Sequence, residues 1–299
     1  MRIKRSRSDY FIDGLILLVM LMVLVITLYP FLNSLAISLN DSKDSVKGGI
    51  TIWPRVFTWN NYVLIFNNER IPRAYLISIA RTVIGTILGL LFTGSLAFGL
   101  AHTNLVGRKI YTIICLIPMY FGGGIIPTFL LIKSMGLLNN FWVYIIPGVV
   151  GLWNMILMRT YFQTIPDGLE ESAVIDGASY LRIFFQIIIP ISAPIIATIA
   201  LYIGVAQWNS WFDAAMYITK DSLKPMQTIL MNVISEARYA EQLAQSGITD
   251  VGNMLKGQNT NVRSITMATM VVTVLPILMI YPFLQRYFIK GIMVGSLKG

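Results

Sequence analysis

Charged residues are scarce in this chain of 299 residues, where they make up 12% of the sequence against 56% hydrophobic residues. A soluble domain usually carries about 25% charged residues. The sequence therefore cannot cover a water-exposed surface, and it predicts an all-α polytopic membrane protein. The formal net charge of +9 would suit a nucleic-acid partner. The basic residues gather at the ends of apolar runs, however, which the positive-inside rule explains more simply.

Cysteine and histidine are almost absent, with one residue of each type, Cys115 and His102. A single cysteine excludes a disulfide within the chain and a cysteine-based metal cluster. Cys115 lies in an apolar run, where a thiol stays protonated and unreactive. We interpret His102, beside a short basic loop, as an interfacial residue without a chemical role. No metal site is predicted, because the chain offers too few zinc ligands.

The chain also lacks a phosphate-binding loop, since no Gly-x-x-x-x-Gly-Lys sequence occurs in it. If ATP drives this protein, ATP and Mg²⁺ must therefore bind to another chain, and no cofactor is expected here. The predicted spans contain no central Asp, Glu, Lys or Arg. This argues against a proton-coupled carrier, a voltage sensor and a membrane enzyme with an acid–base pair. A polar or aromatic path for a neutral or weakly charged solute remains.

Six apolar runs are long enough to cross a bilayer, which takes about 20 residues. The predicted spans are 15–37, 82–101, 110–132, 141–158, 187–208 and 265–284. We expect one transmembrane domain over residues 1–299, with external segments 38–81 and 209–263 and a cytoplasmic loop 159–186. Both termini are placed in the cytoplasm, largely because of the basic N-terminal cluster Arg2, Lys4, Arg5 and Arg7.

Two features of the spans indicate a route for a solute. The third span is interrupted by Pro118, by the glycines Gly122, Gly123 and Gly124, and by Pro127. Broken helices at membrane depth are tolerated where the freed backbone faces protein or a water-filled cavity. A kink against a neighbouring helix explains the same pattern equally well. The second feature is the aromatic and polar cluster at the end of the fifth span, for which we predict path-lining roles for Trp208, Asn209 and Trp211.

A polar island, Pro166 to Pro190, separates two of the apolar runs and carries four of the fourteen acidic residues. We expect Asp167 to cap a helix, with Glu170 as the reciprocal capping carboxylate. Gly177 is expected to end this helix in the left-handed conformation, and Ser179 to begin a second one. The sequence thus predicts an acidic helix, a sharp bend and a second helix that leads into the membrane.

The island resembles the EAA loop of ABC importer permeases, whose pattern is Glu-Ala-Ala, three residues, Gly, nine residues and Ile-x-Leu-Pro. Here the matching residues are Glu171-Ser172-Ala173, Gly177 and Ile187-Ile188-Ile189-Pro190. The departures are Ser172 for Ala and Ile189 for Leu. The C-terminal part, with Leu275-Pro276, Gln285-Arg286-Tyr287 and Gly291…Gly295…Lys298-Gly299, is similar to the carbohydrate-uptake (MalG/LplC-like) branch. The resemblance covers about the last 140 residues well and the first 100 only by their pattern of spans.

This resemblance implies the type I ABC importer permease fold, in the plasma membrane of a bacterium. The chain would form half of a permease heterodimer, above two ATPase subunits that hydrolyse the ATP, and would take sugar from an extracellular solute-binding protein. The coupling helix would lie in a cleft of an ATPase subunit, and Pro190 would follow it. It would be formed by these matched residues of the island: Glu170, Glu171, Ser172, Ala173, Asp176 and Gly177. The tail residues Gly295, Lys298 and Gly299 would reach toward the ATPase dimer interface, and the long segment 220–261 toward the binding protein.

Three other interpretations stay open. A self-sufficient, ATP-independent channel or carrier would give flux from the purified chain alone. A membrane scaffold or signalling subunit would give no solute movement at all. An ABC permease for amino acids, peptides or metals differs only in its solute, and the similarity of the tail favours sugar. The EAA-like loop and the lack of ionisable residues within the spans argue against the channel.

Overall fold

The computed structural model describes residues 7–245 and 262–296, and these residues form helices without a β-strand. This confirms the all-α class. The α-helices are α1 Arg7–Ser38, α2 Ser42–Ser45, α3 Asn60–Phe66, α4 Arg70–Ala101, α5 Arg108–Tyr120, α6 Ile125–Ser134, α7 Leu152–Phe162, α8 Asp167–Ile175, α9 Tyr180–Ile183, α10 Ile189–Ile191, α11 Ala193–Asn209, α12 Phe212–Tyr217, α13 Met226–Gln245 and α14 Val262–Ser296. Short 3₁₀ helices cover Phe141–Tyr144, Ile146–Gly148 and Asp221–Leu223, and a π-helix covers Phe184–Ile188.

Three helical stretches are long and apolar enough to cross a membrane without a break: Tyr10–Ser38, Arg70–Ala101 and Arg263–Ile280. Three further pairs meet the same test when each is taken as one bent span. They are Arg108–Tyr120 with Ile125–Ser134, Phe141–Gly148 with Leu152–Phe162, and Tyr180–Ile191 with Ala193–Asn209, bent by 117°, 49° and 88°. Counted in this way, the described residues contain up to six candidate spans, which is the predicted number.

Two helices differ from the predicted limits of the spans. α4 begins at Arg70, so the last part of the predicted external segment 38–81 is helical and continuous with span 82–101. The arginines near its start lower the hydropathy but are good helix formers, so they do not end the helix. The predicted fifth span 187–208 is broken at Ser192, between α10 and α11. Pro190 and Pro194 each remove a backbone donor there, which explains the break.

The described residues fall into two compact units, and the first takes in those of Met1–Glu69 and Asn232–Val274. Within it, two buried asparagines hold the chain that follows α1. Asn40 donates to the Ser45 hydroxyl and accepts from the Val56 amide, and Asn61 donates to the carbonyls of Ser38 and Asn40. Every donor of these amides reaches an acceptor, as burial requires. The chain that follows α1 is therefore held in a defined fold by side-chain hydrogen bonds.

The second unit takes in the described residues of Arg70–Met231 and Leu275–Gly299 and is organised around α4. α4 packs against α7 and α11. Their contact contains a buried core to which α4 contributes Ala97, Phe98 and Leu100, and α7 contributes Met155 and Met158. The same core includes Ala173 from α8 and Phe184 from the π-helix. The polar island is therefore anchored directly in the core of this unit.

Candidate functional site: the acidic helix α8 and its attachment to α4

α8 presents an acidic and apolar face to the outside. Glu171 is exposed, as are Val174 and Ile175 at 48% and 85%. On the opposite side Ala173 is 8% exposed and packs into the core shared with α4 and α7. A nine-residue helix is too short to be stable alone, so this contact holds it in place. The exposed face is left free to meet another chain.

The C-terminal end of α8 is closed as the sequence predicts. Gly177 has a φ of +79°, in the left-handed region that costs other L-residues about 1–2 kcal/mol. Its amide donates to the Val174 carbonyl at 2.9 Å, and the Ala178 amide donates to the Ala173 carbonyl at 2.9 Å. This pair of bonds is the Schellman motif. It fixes the direction in which the chain leaves α8.

The predicted N-terminal cap is wrong. Pro166 occupies the cap position and makes no side-chain bond to the helix, and Asp167 is the first helical residue. Glu170 does not reach back to the helix start, because its carboxylate instead bonds His102 at 2.7 Å. The acidic residues Asp167 and Glu170 still lie in the first turn, where they are favoured by the helix dipole.

His102 ties α8 to the end of α4, a role that our sequence analysis missed. Its Nδ1 lies 2.8 Å from the Phe98 carbonyl and its Nε2 lies 2.7 Å from Glu170 Oε2. The carbonyl is an acceptor only, so Nδ1 donates to it, and Nε2 faces the Glu170 carboxyl group. Both side chains are about one-quarter exposed. The two residues are 68 positions apart in sequence, and no local pattern predicts this contact.

The second helix of the island begins at the predicted residue. The Ser179 hydroxyl accepts from the Arg182 amide at 3.4 Å, and α9, the π-helix and α10 then follow without a gap. Ile183, Phe184 and Ile188 are buried in the core. Pro190 lies on α10, just before the break at Ser192. The island is thus joined to the core by α8 and again by this second helix.

A cavity of about 550 Å³ lies beside the attachment of α8. The end of α4 lines it with Phe98 and Gly99, the following loop with His102 and Val106, and the second helix with Leu181. Val106 and Leu181 are 90% and 70% exposed. The apolar surface next to α8 is therefore left open by the described part of the chain.

The predicted path residues lie in different surroundings. Gly122 and Gly123 form the break between α5 and α6, and a Cβ at Gly122 would meet nothing within 4 Å. Asn209 and Trp211 are exposed, whereas Trp208 is buried and packs against the Tyr75 ring at 6.2 Å. Their roles stay a prediction.

The tail is described only in part. Gly295 falls within α14, and Lys298 and Gly299 lie outside the described residues. The part of segment 220–261 that follows Gln245 is likewise outside them. Among the residues that the structure does describe, no group of three or more His, Cys, Asp or Glu is placed to hold a metal ion.

A second polar cluster surrounds Arg81, which is only 1% exposed although it lies within the apolar helix α4. Its guanidinium donates to both carboxylate oxygens of Asp213, to Gln207 Oε1 and to the Ser210 carbonyl, at distances from 2.5 to 3.2 Å. It also lies 4.3 Å from the centre of the Tyr144 ring. Arg81 therefore fastens α4 to α11 and α12. We missed it because it falls at the boundary drawn between segment 38–81 and span 82–101.

Comparison with known proteins identifies a matching family model and similar bacterial proteins. The family model described as binding-protein-dependent transport system inner membrane component matches residues 82–294. The polygalacturonan/rhamnogalacturonan transport system permease protein YtcP of Bacillus subtilis (strain 168) is 36% identical over 96% of this chain and 98% of its own length. Protein LplC of the same organism is 37% identical over 92% of this chain and 90% of its own length.

A solved structure is also similar. It is the crystal structure of a bacterial ABC transporter involved in the import of the acidic polysaccharide alginate, one chain of which matches with a TM-score of 0.85 and 27% identity. The match covers 96% of this chain and 99% of that one. Family model, relatives and structure agree with the helical fold. The chain belongs to the family of inner membrane components of binding-protein-dependent transport systems.

Proposed function

We propose that this chain is the membrane-spanning permease subunit of an ATP-driven ABC importer for carbohydrates, with oligosaccharides as the solute class. The relatives support this, since YtcP is a transport permease for polygalacturonan and rhamnogalacturonan and the similar crystal structure is an alginate importer. The partners are a second permease subunit, two ATPase subunits and an extracellular solute-binding protein. ATP and Mg²⁺ bind the ATPase subunits, and this chain performs no catalysis.

One observation carries the coupling role: α8 is short, closed at its end by Gly177, and held by two separate contacts with the core of its unit. Its inner side is fixed by Ala173 and by the bond from Glu170 to His102. Its outer side offers Glu171, Val174 and Ile175. A partner that binds the outer side of α8 therefore moves α4 through the contacts on the inner side of α8.

The two adjacent glutamates divide this work. Glu170 turns inward to His102, and Glu171 remains exposed. We assign ATPase contact to the exposed residues Glu171, Ser172 and Asp176, and attachment to Glu170 and Ala173. Gly177 and Pro190 set the directions in which the chain leaves α8 and enters α11. The tail residues Gly295, Lys298 and Gly299 approach the ATPase pair.

ATP drives transport only if the partners bind one state of the permease better than the other. The exposed face of α8 is the surface through which such a preference reaches this chain. The solute enters from outside and leaves to the cytoplasm, where we also place both termini. Along the path we assign contacts to Asn209 and Trp211 and an opening to the break at Gly122 and Gly123. Trp208 would join them only in a state in which it leaves the Tyr75 ring.

Co-purification tests this proposal. The tagged chain is expected to bring down an ATPase and a second permease, and membrane vesicles that contain the complex are expected to take up oligosaccharides in an ATP-dependent way. Glu171→Lys reverses the exposed charge, and Gly177→Leu strains the end of α8. Both are expected to lose the ATPase while the protein stays in the membrane. Glu69→Lys, an exposed charge reversal between α3 and α4, is the matched control.

The outcomes separate the competing functions. Normal uptake by Glu171→Lys at normal expression would contradict the coupling role of α8. Solute flux from the purified chain alone would replace the proposal by the channel or carrier. ATP-driven uptake of amino acids or metals, without uptake of fragments of polygalacturonan or alginate, would support an ABC importer but contradict carbohydrate as its solute.

A further inference from the structure

Arg159, near the end of α7, has an incompletely satisfied guanidinium. Its Nη1 donates to the Thr112 hydroxyl on α5 over a long 3.4 Å. Its Nε is buried and has no acceptor among the residues that the structure describes. No carboxylate of the described residues forms an ion pair with it. A buried donor on a charged group is costly when it is left without a partner, so this guanidinium favours an acceptor beyond the described residues.

The start of α5 adds positive charge beside this group. α5 packs against α7 and begins with Arg108 and Lys109. Arg108 Nε donates to the Leu100 carbonyl at 3.0 Å, and the Thr112 hydroxyl that receives Arg159 donates to the Arg108 carbonyl at 2.8 Å. Neither Arg108 nor Lys109 has an ion-pair partner in the described ranges. Since a helix N-terminus disfavours cations, the groove between the start of α5 and the end of α7 favours a bound anion.

The surface that continues from this groove is apolar. α5 has no buried residue, and Ile110, Ile113, Ile114 and Ile117 are between 48% and 64% exposed. In an inner membrane protein, such a face suits hydrocarbon, and basic residues beside it lie at the level of the lipid headgroups. Basic pockets between helices on the cytoplasmic side bind anionic headgroups in this way.

We propose that the groove between α5 and α7 binds the phosphate of an anionic phospholipid. Arg159 and Lys109 contact the phosphate, and the acyl chains run along Ile113 and Ile117. The apolar face favours a lipid over free phosphate, which would gain nothing from the isoleucines. It also favours a lipid over an acidic side chain of a soluble partner. The site is separate from the outer face of α8, so it does not depend on the proposed coupling.

Native mass spectrometry of the full-length purified chain tests the site. Retention of phosphatidylglycerol is measured against phosphatidylcholine with the same acyl chains. Each basic residue near an anionic surface strengthens binding about five-fold, so Arg159→Gln is expected to lower the preference for phosphatidylglycerol at least about five-fold. Lys133→Gln, an exposed lysine on α6, is the matched control and is expected to leave the preference unchanged.

Two further arms keep the test decisive. Arg159→Lys preserves the charge and is expected to retain most of the preference, and Lys109→Gln reports on the site if Arg159→Gln fails to fold. Displacement of the lipid by millimolar inorganic phosphate would overturn the lipid as the source of the phosphate. Equal retention of both lipids by the wild-type chain would overturn the site and leave an acidic partner residue as the ligand of Arg159.

Discussion

The two side-chain pairs that tie α4 to the rest of its unit differ in burial and in the number of bonds that support them. Arg81 is 1% exposed and its partner Asp213 is 23% exposed, and Gln207 and Ser210 add further bonds. The pair of His102 and Glu170 is 27% and 25% exposed, with one additional bond to the Phe98 carbonyl. At about 1.5 Å per residue, the two attachments lie roughly 30 Å apart along the helix.

This difference suggests unequal mechanical roles for the two attachments. A buried guanidinium that satisfies several acceptors has no alternative arrangement of similar energy, because any movement leaves charges unpaired. The pair of His102 and Glu170, about one-quarter exposed, can exchange its bond for water at a small cost. We infer that α4 is fixed where it meets α11 and α12, and adjustable where it meets α8. This difference would allow α4 to move at its α8 end when a partner binds α8, while its other end stays in place.

The largest effect is expected from breaking the buried attachment. Arg81→Met leaves the Asp213 carboxylate without its partner, and removal of one member of a buried pair costs about 3 kcal/mol or more. Thermal unfolding of the purified protein in detergent measures the loss. Arg73→Met, on the exposed side of the same helix, controls for the loss of an arginine from α4 and is expected to change little.

A double variant makes this result more specific. Arg81→Met combined with Asp213→Leu removes both charges, so it is expected to recover part of the stability that the single change loses. If Arg81→Met alone unfolds at the wild-type temperature, the cluster is not the fixed attachment and the comparison fails.

A smaller effect is expected from crowding the same cluster. A Cβ at Gly85 would lie 2.9 Å from the Gln207 side chain, which is held by Arg81 and by the Tyr144 carbonyl. Gly85→Ala is therefore expected to destabilise the protein by about 1–2 kcal/mol relative to Gly99→Ala. Gly99 is on the same helix with nothing within 4 Å of its Cβ position. Equal unfolding temperatures of the two variants would show that Gln207 is free to move.

Sequence reasoning reached the helical class, the number of spans and the end of α8, because each depends on local signals. Gly177 and Ser179 act within a few residues of their positions, and hydropathy averages over one span. Neither attachment of α4 was predicted from the sequence. Arg81 and Asp213 are 132 residues apart and His102 and Glu170 are 68 apart, and periodicity carries no information on such pairings. A charge also lowers hydropathy whether or not it has a partner, which placed Arg81 outside the span.

The smallest effect on stability, and the most informative one, is expected at His102. Even an ion pair of this exposure contributes only about 0–1 kcal/mol, so His102→Ala is expected to unfold close to the wild-type temperature. It should nevertheless detach Glu170 from α4, so that ATP hydrolysis by the assembled importer continues while solute uptake per ATP falls several-fold. His102→Gln, whose amide can still donate to Glu170, is expected to restore part of the ratio. A fall in uptake and hydrolysis together would show that His102 only supports assembly. An unchanged ratio in His102→Ala would mean that Ala173 and the second helix transmit the movement without this bond, and the adjustable attachment would then lie in the apolar core.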